Sequence, residues 1–352
     1  TFATFKGKNS LDEVGKAFKL PKVDIETVKK YLVARSGADM RNDLTIMDTI
    51  EMSPEAKEIV EKYDEIQYAI ILEGQLRHMG THAAGVIIGD RPLTEIMALY
   101  GKEGKDERIS SFEMEDLKKI DLLKIDTLGI TELNILSKAG EFLGWKIENF
   151  YNIPLDDEET MNGFREVDVE GIFQFVGDST KSVLRQLPNL REFGQLVDCV
   201  TLSKPGPAHS GGTTKYIARA RGEKNIKGFD WHPILAETTK ETNYQIIYQE
   251  QVIRIVREVG NMSFTDANAI RNFMSKSKGE SAFEEYWDGF RDGAISNGLT
   301  EEQAKSVWEE TKTMGRWAFN KSHAVSYAML AWWSMYVKRH HPLEFYLARL
   351  LR

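Results

Sequence analysis

The sequence predicts an α+β chain that is predominantly helical, with a small sheet core set between two helical lobes. Three observations predict it. Residues 2–77 are charged, sparing of glycine after Gly37 and broken into helix-like pieces. At Met79 the texture changes, and Gly80-Thr81-His82-Ala83-Ala84-Gly85 leads into the short apolar run Val86-Ile87-Ile88-Gly89. Beyond Ile130 the chain reads mostly helical again, with loops at Lys204-Pro205-Gly206-Pro207 and Ser210-Gly211-Gly212.

In chain order, Ser53-Pro54-Glu55 is a helix start, with serine as cap and proline at the first helical position, running on through Ile59, Val60 and Tyr63. The run at 86–88 reads as a strand closed by Gly-Asp-Arg-Pro, and Ile120 to Asp126 reads as a second strand ending near Gly129. Val252, Val256 and Val259 recur at helical spacing and stop at Gly260, which predicts an amphipathic helix with a C-terminal glycine. Ser263 with Asp266 resembles a capping box, opening a helix with Ala267, Ile270 and Met274 on one face and Arg271, Ser275 and Lys278 on the other. No repeat of fixed period or low-complexity tract is present.

A length of 352 residues implies two to three domains. With 41% hydrophobic and 28% charged residues, a disordered, collagen-like or disulfide-scaffold chain is excluded. Lys+Arg total 46 against 54 Asp+Glu, a formal charge of −8, so bulk positive charge does not serve nucleic-acid binding and any anion site must be local. The single cysteine, Cys199, lies in the largely apolar run Leu196-Val197-Asp198-Cys199-Val200 and reads as a buried small hydrophobe in a reducing compartment. The longest uncharged apolar stretch, Ala324 to Val337, falls short of the ~20 residues of a membrane span. With no signal-peptide pattern at the start, the expectation is a soluble cytoplasmic protein without membrane partners. The first residue is Thr1, so a processed, excised or trimmed chain is expected.

Alternation along the second strand puts Ile120, Leu122, Lys124 and Asp126 on one side. A carboxylate at a strand end, just before Thr127-Leu128-Gly129, is placed to hold Mg²⁺, and the neighbouring ammonium to meet a phosphate; a surface salt bridge is the plain alternative. Arg316 to Ala324 is dense in donors and precedes a helix that is apolar nearly all round. Lys321, Ser322 and His323 would face an anion at its N-terminus, or simply cap it. Lys276 and Lys278 stand at a helix end near Arg271, while Lys204, Lys215, Arg219, Arg221, Lys224 and Lys227 face the single acid Glu223. These clusters are either phosphate-facing or solvated helix faces.

The order of motifs resembles one family, the catalytic alpha subunits of bacterial DNA polymerase III, the C-family replicative polymerases. Thr81-His82-Ala83-Ala84-Gly85-Val86 resembles its His-Ala-Gly-Gly-Val element, and Leu123-Lys124-Ile125-Asp126-Thr127-Leu128-Gly129 its palm strand Lys-Phe-Asp-Phe-Leu-Gly. Gly171-Ile172-Phe173-Gln174-Phe175 is similar to Val-Phe-Gln-Leu, and Ser203-Lys204-Pro205-Gly206-Pro207 to Arg-Pro-Gly-Pro. Tyr248-Gln249-Glu250-Gln251-Val252 and Phe319-Asn320-Lys321-Ser322-His323 resemble Tyr-Gln-Glu-Gln-Val and Phe-Asn-Lys-Ser-His. Phe2-Ala3-Thr4 with Val14-Gly15 is similar to the stretch leading into the thumb.

The resemblance implies a helical thumb-like lobe over 1–78, the second part of a nucleotidyltransferase-type palm over 79–132, and fingers over 133–352. It implies part of a DNA-directed DNA polymerase core that extends a primer 3′-hydroxyl by two-metal Mg²⁺ chemistry, with primer–template DNA and deoxynucleoside triphosphates as partners. A sliding clamp is a further candidate partner, although no clamp-binding peptide is evident. Asp126 becomes the metal-binding catalytic carboxylate with Lys124 beside it. Arg271, Lys276, Lys278, Lys321, Ser322 and His323 surround the triphosphate, Lys204, Pro205 and Gly206 lie near the nascent base pair, and Lys215, Arg219 and Arg221 meet DNA.

The sequence departs from the family pattern at Ala84, Lys204 and Asn272. More seriously, the family's palm has three aspartates, and its Asp-x-Asp pair lies upstream of the segment with which this chain begins. An upstream segment or partner chain is therefore expected to complete the palm, with this chain alone inactive. Asp168-Val169-Glu170 is the nearest substitute, but it adjoins an element where the family has no metal site. A non-catalytic DNA-binding or structural module is the alternative.

Overall fold

The computed structural model describes residues 2–32, 45–101, 104, 108–204, 206–207, 211–223, 225–276, 283–315 and 318–351. The fold is α+β and predominantly helical, and it divides into two compact units, Thr1–Gly129 and Ile130–Arg352.

In the first unit, strand β1 (Phe2–Thr4) leads into helices Gly7–Ala17, Lys22–Tyr31, Ile46–Met52, Pro54–Lys62 and Ile66–Leu72, after which β2 (Leu76–Met79) returns antiparallel to β1. Leu11, Val14, Ile25, Val28, Leu32, Ile46 and Ile66 are buried together as the core of these helices. Ser53 caps its helix as expected, its hydroxyl accepting the Ala56 N–H at 3.2 Å.

Then follow β3 (Gly85–Ile88), the hairpin-like pair β4 (Leu99–Gly101) and β5 (Arg108–Ser110), helix Met114–Lys119, and β6 (Leu123–Asp126). Both strands foreseen from the sequence pair with each other: β3 and β6 run antiparallel, with Gly85 opposite Asp126 and Ile87 opposite Lys124. Two expectations need correction. The strand foreseen from Ile120 begins only at Leu123, because Ile120 closes the preceding helix and Asp121 adopts a left-handed backbone with φ 55°. Leu122 N–H returns to the Leu117 carbonyl at 3.0 Å, so Ile120 and Leu122 do not share a strand face with Lys124 and Asp126. Moreover, the described strands form three two-stranded ribbons rather than one sheet core, and Val86, Ile88, Leu123 and Ile125 are exposed.

The second unit has two hydrophobic cores. The Lys321–His340 helix runs through the first, burying Ala324, Ala328, Ala331, Trp332, Trp333 and Met335 against Phe164, Phe175 and Leu196, as its all-round apolar pattern implies. Fully buried Cys199 belongs to the same core.

In the second core, the Gln249–Glu258 helix presents Val252, Ile255, Val256 and Val259 to Ala267, Ile270, Phe290 and Trp308. Ser263 accepts the Asp266 N–H at 3.1 Å and opens the Phe264–Lys276 helix as foreseen. Gly260 does not end its helix through a left-handed turn. Its carbonyl oxygen stands 1.8 Å from where a Cβ on Gly293 would lie, so the two glycines serve the close approach of two chain segments. Among the described residues, no helix is long and apolar enough to cross a membrane.

Candidate active-site residues

In the first unit the antiparallel register brings Lys124 and Asp126 to one face of β6, where the Lys124 ammonium donates to the Asp126 carboxylate. His82 Nδ1 lies 3.5 Å from the same oxygen and accepts the Ala84 N–H at 3.4 Å. The Lys124 hydrogen bond, joined by the Lys124 and His82 charges, holds the Asp126 carboxyl below its ordinary range. Gly85, directly opposite, makes this packing feasible, since a Cβ there would stand 2.8 Å from Lys124 Cε and 3.2 Å from Asp126 Oδ1. The trio opens into a cleft of about 630 Å³ also lined by Arg108, Glu113 and Phe112.

Magnesium demands several oxygen ligands. Asp126 supplies one carboxylate beside an ammonium and an imidazole, and among the described residues no group of three or more His, Cys, Asp or Glu could hold a metal. The residues present therefore do not by themselves fit a two-metal site. His82 was not singled out from the sequence as a site residue; its signal was its place just before the strand that pairs with Asp126.

In the second unit, four motifs distant in sequence meet. Tyr248 and Phe319 form a parallel backbone bridge, with Gln249 N–H to Phe319 O and Phe319 N–H to Ile247 O, both at 2.9 Å. Asn320 caps the Lys321–His340 helix by accepting the His323 N–H at 2.9 Å, and Ser322 Oγ donates to the same amide oxygen at 2.6 Å. The Glu250 carboxylate accepts the Lys321 N–H at 2.9 Å and the Asn320 side-chain amide at 3.1 Å. The anion expected at this helix start is thus one the protein supplies itself, and the side chains, rather than the first backbone donor, are what remain for a ligand.

The Lys321 ammonium reaches Glu241 at 3.1 Å and stands 5.6 Å from the Tyr248 ring centroid. His323 packs against Phe319 and Tyr327, with ring centroids 5.2 and 4.0 Å away. Burial, with the nearby Lys204 charge, lowers its pKa. Half-buried Lys204 donates to Gln174 at 3.3 Å and lies 5.6 Å from the Phe319 ring centroid, and its burial pushes the ammonium pKa down. Arg271 donates to Gln249 Oε1 at 3.1 Å, with further bonds to Asn268 and Asn272. A continuous polar belt, Gln174–Lys204–Phe319–Gln249–Arg271, results, with Lys321 and His323 on its flank.

Other candidates lie elsewhere. Lys278 and Pro205, like the Lys276 side chain, fall outside the described residues, as does Lys224; Gly206 follows the Lys204 loop and is half-buried. Lys215 pairs with Glu310 at 3.1 Å. Arg219, its side chain 13% exposed, donates to Asp230 and to the Ile226 carbonyl, both at 2.7 Å. Arg221 donates to the Gln186 carbonyl at 3.0 Å. Each of these three cations, foreseen as DNA contacts, makes a bond within the fold. Glu310 and Gln186 come from distant segments and Asp230 lies just past the basic stretch, so a count of acids within that stretch does not reveal them. Asp168 pairs with buried Lys338 at 2.6 Å and Glu170 with Lys181 at 2.5 Å, so this Asp-x-Glu serves ion pairs.

The architecture is that of a helical protein with one small carboxylate-bearing ribbon. The family pattern described as the bacterial DNA polymerase III alpha subunit finger domain matches residues 130–298, and that described as the bacterial DNA polymerase III alpha NTPase domain matches residues 1–129. The chain belongs to the bacterial DNA polymerase III alpha family. It is 33% identical, over 99% of its length, to the DNA polymerase III subunit alpha of Halalkalibacterium halodurans, and 35% identical, over 92%, to that of Aquifex aeolicus. To that of Thermus aquaticus it is 29% identical over 99%. It covers 31%, 27% and 29% of these proteins, so the chain spans about a third of the length of the relatives it matches.

Proposed function

We propose that this chain is the nucleotide-receiving part of a DNA-directed DNA polymerase core, with a thumb-like lobe over 1–78, the second part of the palm over 79–132 and fingers over 133–352. The observation that carries the reading is the polar belt, which gathers Lys204, Arg271, and Lys321 with His323 from three segments distant in sequence. Lys204 and Arg271 are held here by side-chain amides, which leave their charges unneutralised, and Lys321 shares Glu241; such cations suit a triphosphate and would take the charge that grows on the leaving pyrophosphate.

In this reading Asp126 contributes one palm carboxylate, and an upstream segment or partner chain contributes the Asp-x-Asp pair. Mg²⁺, held by Asp126 together with that pair, would supply the family's metal-assisted phosphoryl transfer. Lys124 holds Asp126 in place through its hydrogen bond and is the ammonium on hand for a phosphate at this ribbon. Primer–template DNA and deoxynucleoside triphosphates are the substrates, and the setting is the bacterial cytoplasm at the nucleoid.

The test is primer extension with Mg²⁺ and four nucleotides, by this chain alone and after joining it to the upstream segment of a relative. Extension only by the joined form is expected, with Lys321→Ala raising the KM for nucleotide more than the Kd for DNA. Extension by the chain alone, or none by the joined form, overturns the reading. The closed Lys124–Asp126 pair favours a second reading, a non-catalytic DNA-binding module. That reading expects salt-dependent DNA binding without Mg²⁺, unchanged by Asp126→Asn.

A further inference from the structure

A carboxylate lies where the sequence is otherwise apolar. Asp198, in the Phe193–Leu202 helix, is 4% exposed and accepts two phenol hydrogen bonds, from Tyr216 at 2.6 Å and Tyr248 at 2.5 Å. Both tyrosines are fully buried, and they come from different elements: Tyr216 from the Gly212–Ala220 helix, Tyr248 from the residue that opens the Gln249–Glu258 helix. Short O–H···O⁻ bonds are among the strongest available to a protein, and a buried carboxylate needs them. Tyr248 is also half of the Phe319 bridge, and its ring is the floor beneath the Lys321 ammonium, whose side chain is 44% exposed.

We infer that Asp198 is a positioning residue: by gripping the Tyr248 hydroxyl from inside the fold, it fixes where the Lys321 ammonium stands at the surface. Its consequence for nucleotide binding rests on the reading of Lys321 as a triphosphate contact. The charged and titratable groups around Asp198 are consistent with an anion in this role. Burial raises its pKa to about 6, while the two phenols and the Lys321 charge pull against that rise and Glu241 adds to it. Cys199 and both tyrosines are pushed upward and stay neutral.

The experiment labels lysines of the chain with ¹³C-methyl groups and follows the Lys321 resonance, assigned with Lys321→Arg, whose position reports the Tyr248 ring. Asp198→Asn and Tyr248→Phe should both move it toward the position of a solvated lysine. In the joined polymerase both should raise the nucleotide KM about tenfold, the scale of one lost charge-assisted bond, with kcat and DNA binding unchanged. The double variant should be no worse than either single one, since both cut the same link. Should Asp198→Asn fail to fold, Tyr248→Phe, which keeps the ring, carries the test. An unmoved Lys321 resonance in the folded variants overturns the inference. If the resonance moves but Lys321→Ala leaves KM unchanged, positioning stands and the triphosphate reading of Lys321 falls. If Lys321→Ala raises KM and the Asp198 and Tyr248 variants do not, positioning falls and the triphosphate reading stands.

Discussion

Glu250 and Lys321, 71 residues apart, are joined backbone to side chain: the Lys321 N–H donates to both carboxylate oxygens of Glu250, at 2.9 and 3.1 Å. A carboxylate at a helix N-terminus satisfies an orphan donor and complements the helix dipole. Glu250→Ala should therefore cost about 1–2 kcal/mol, and Glu250→Gln less, because an amide oxygen still accepts the bond. Thermal unfolding measures both, and an unchanged Tm for Glu250→Ala would remove the cap from the account.

The Gly260–Gly293 approach makes a sharper claim. A Cβ on Gly293 would stand 1.8 Å from a backbone oxygen, which cannot swing aside as a side chain can. Gly293→Ala should destabilise by about 3 kcal/mol. Gly289→Ala in the same helix, where the nearest atom is Met262 Cε at 3.6 Å, should be neutral or mildly stabilising. Equal denaturation midpoints for the two variants would refute the close packing.

Asp198 should leave a signature in the pH dependence of stability. Its pKa rises from 3.8 in the unfolded chain to about 6 in the fold, so its contribution is fully present below pH 3.8 and is lost as pH rises through about 6. That loss amounts to roughly 3 kcal/mol. Denaturant unfolding between pH 3 and 7 should show wild type losing most of this relative to Asp198→Asn, and parallel profiles would show that another group titrates.

Lys338 is buried, and its ammonium donates to the Asp168 carboxylate at 2.6 Å and to the Asp168 and Glu170 carbonyls at 2.8 and 3.2 Å. Lys338→Met takes the ammonium from those acceptors, leaving the Asp168 carboxylate to Arg339 at 3.6 Å, and should cost about 3 kcal/mol. By contrast the Glu170 side chain is 76% exposed, so Glu170→Gln should change stability by less than about 1 kcal/mol. It should also leave primer extension by the joined polymerase intact. Loss of extension would return Asp168 and Glu170 to consideration as a metal pair.

What the sequence made legible was local or periodic. The Ser53 and Ser263 caps act within three residues, and the all-round apolar run at 324–337 leaves a helix no option but burial. The two strands that pair over 85–88 and 123–126 were foreseen as strands from their apolar runs and turn signals, though not as partners of each other. The start of the second strand did not follow, because Asp121 enters a left-handed conformation that an aspartate tolerates but does not require. Charge partners were the least legible: Glu310 for Lys215, Asp230 for Arg219 and Glu250 for the Lys321 N–H lie 95, 11 and 71 residues away. The run containing Asp198 drew attention to its cysteine, whereas the aspartate beside it carries the informative chemistry.

The two backbone hydrogen bonds between the Tyr248 and Phe319 segments also have a mechanical meaning. They weld the leading end of one helix to the approach of another, and the second helix is anchored along its length by Trp332 and Met335. A tilt imposed at either end is carried through the weld to Gln249 and on to Arg271. The cations of the belt are thus tied to one another through the weld, and under the proposed reading a lesion in the weld should displace them together while deleting none.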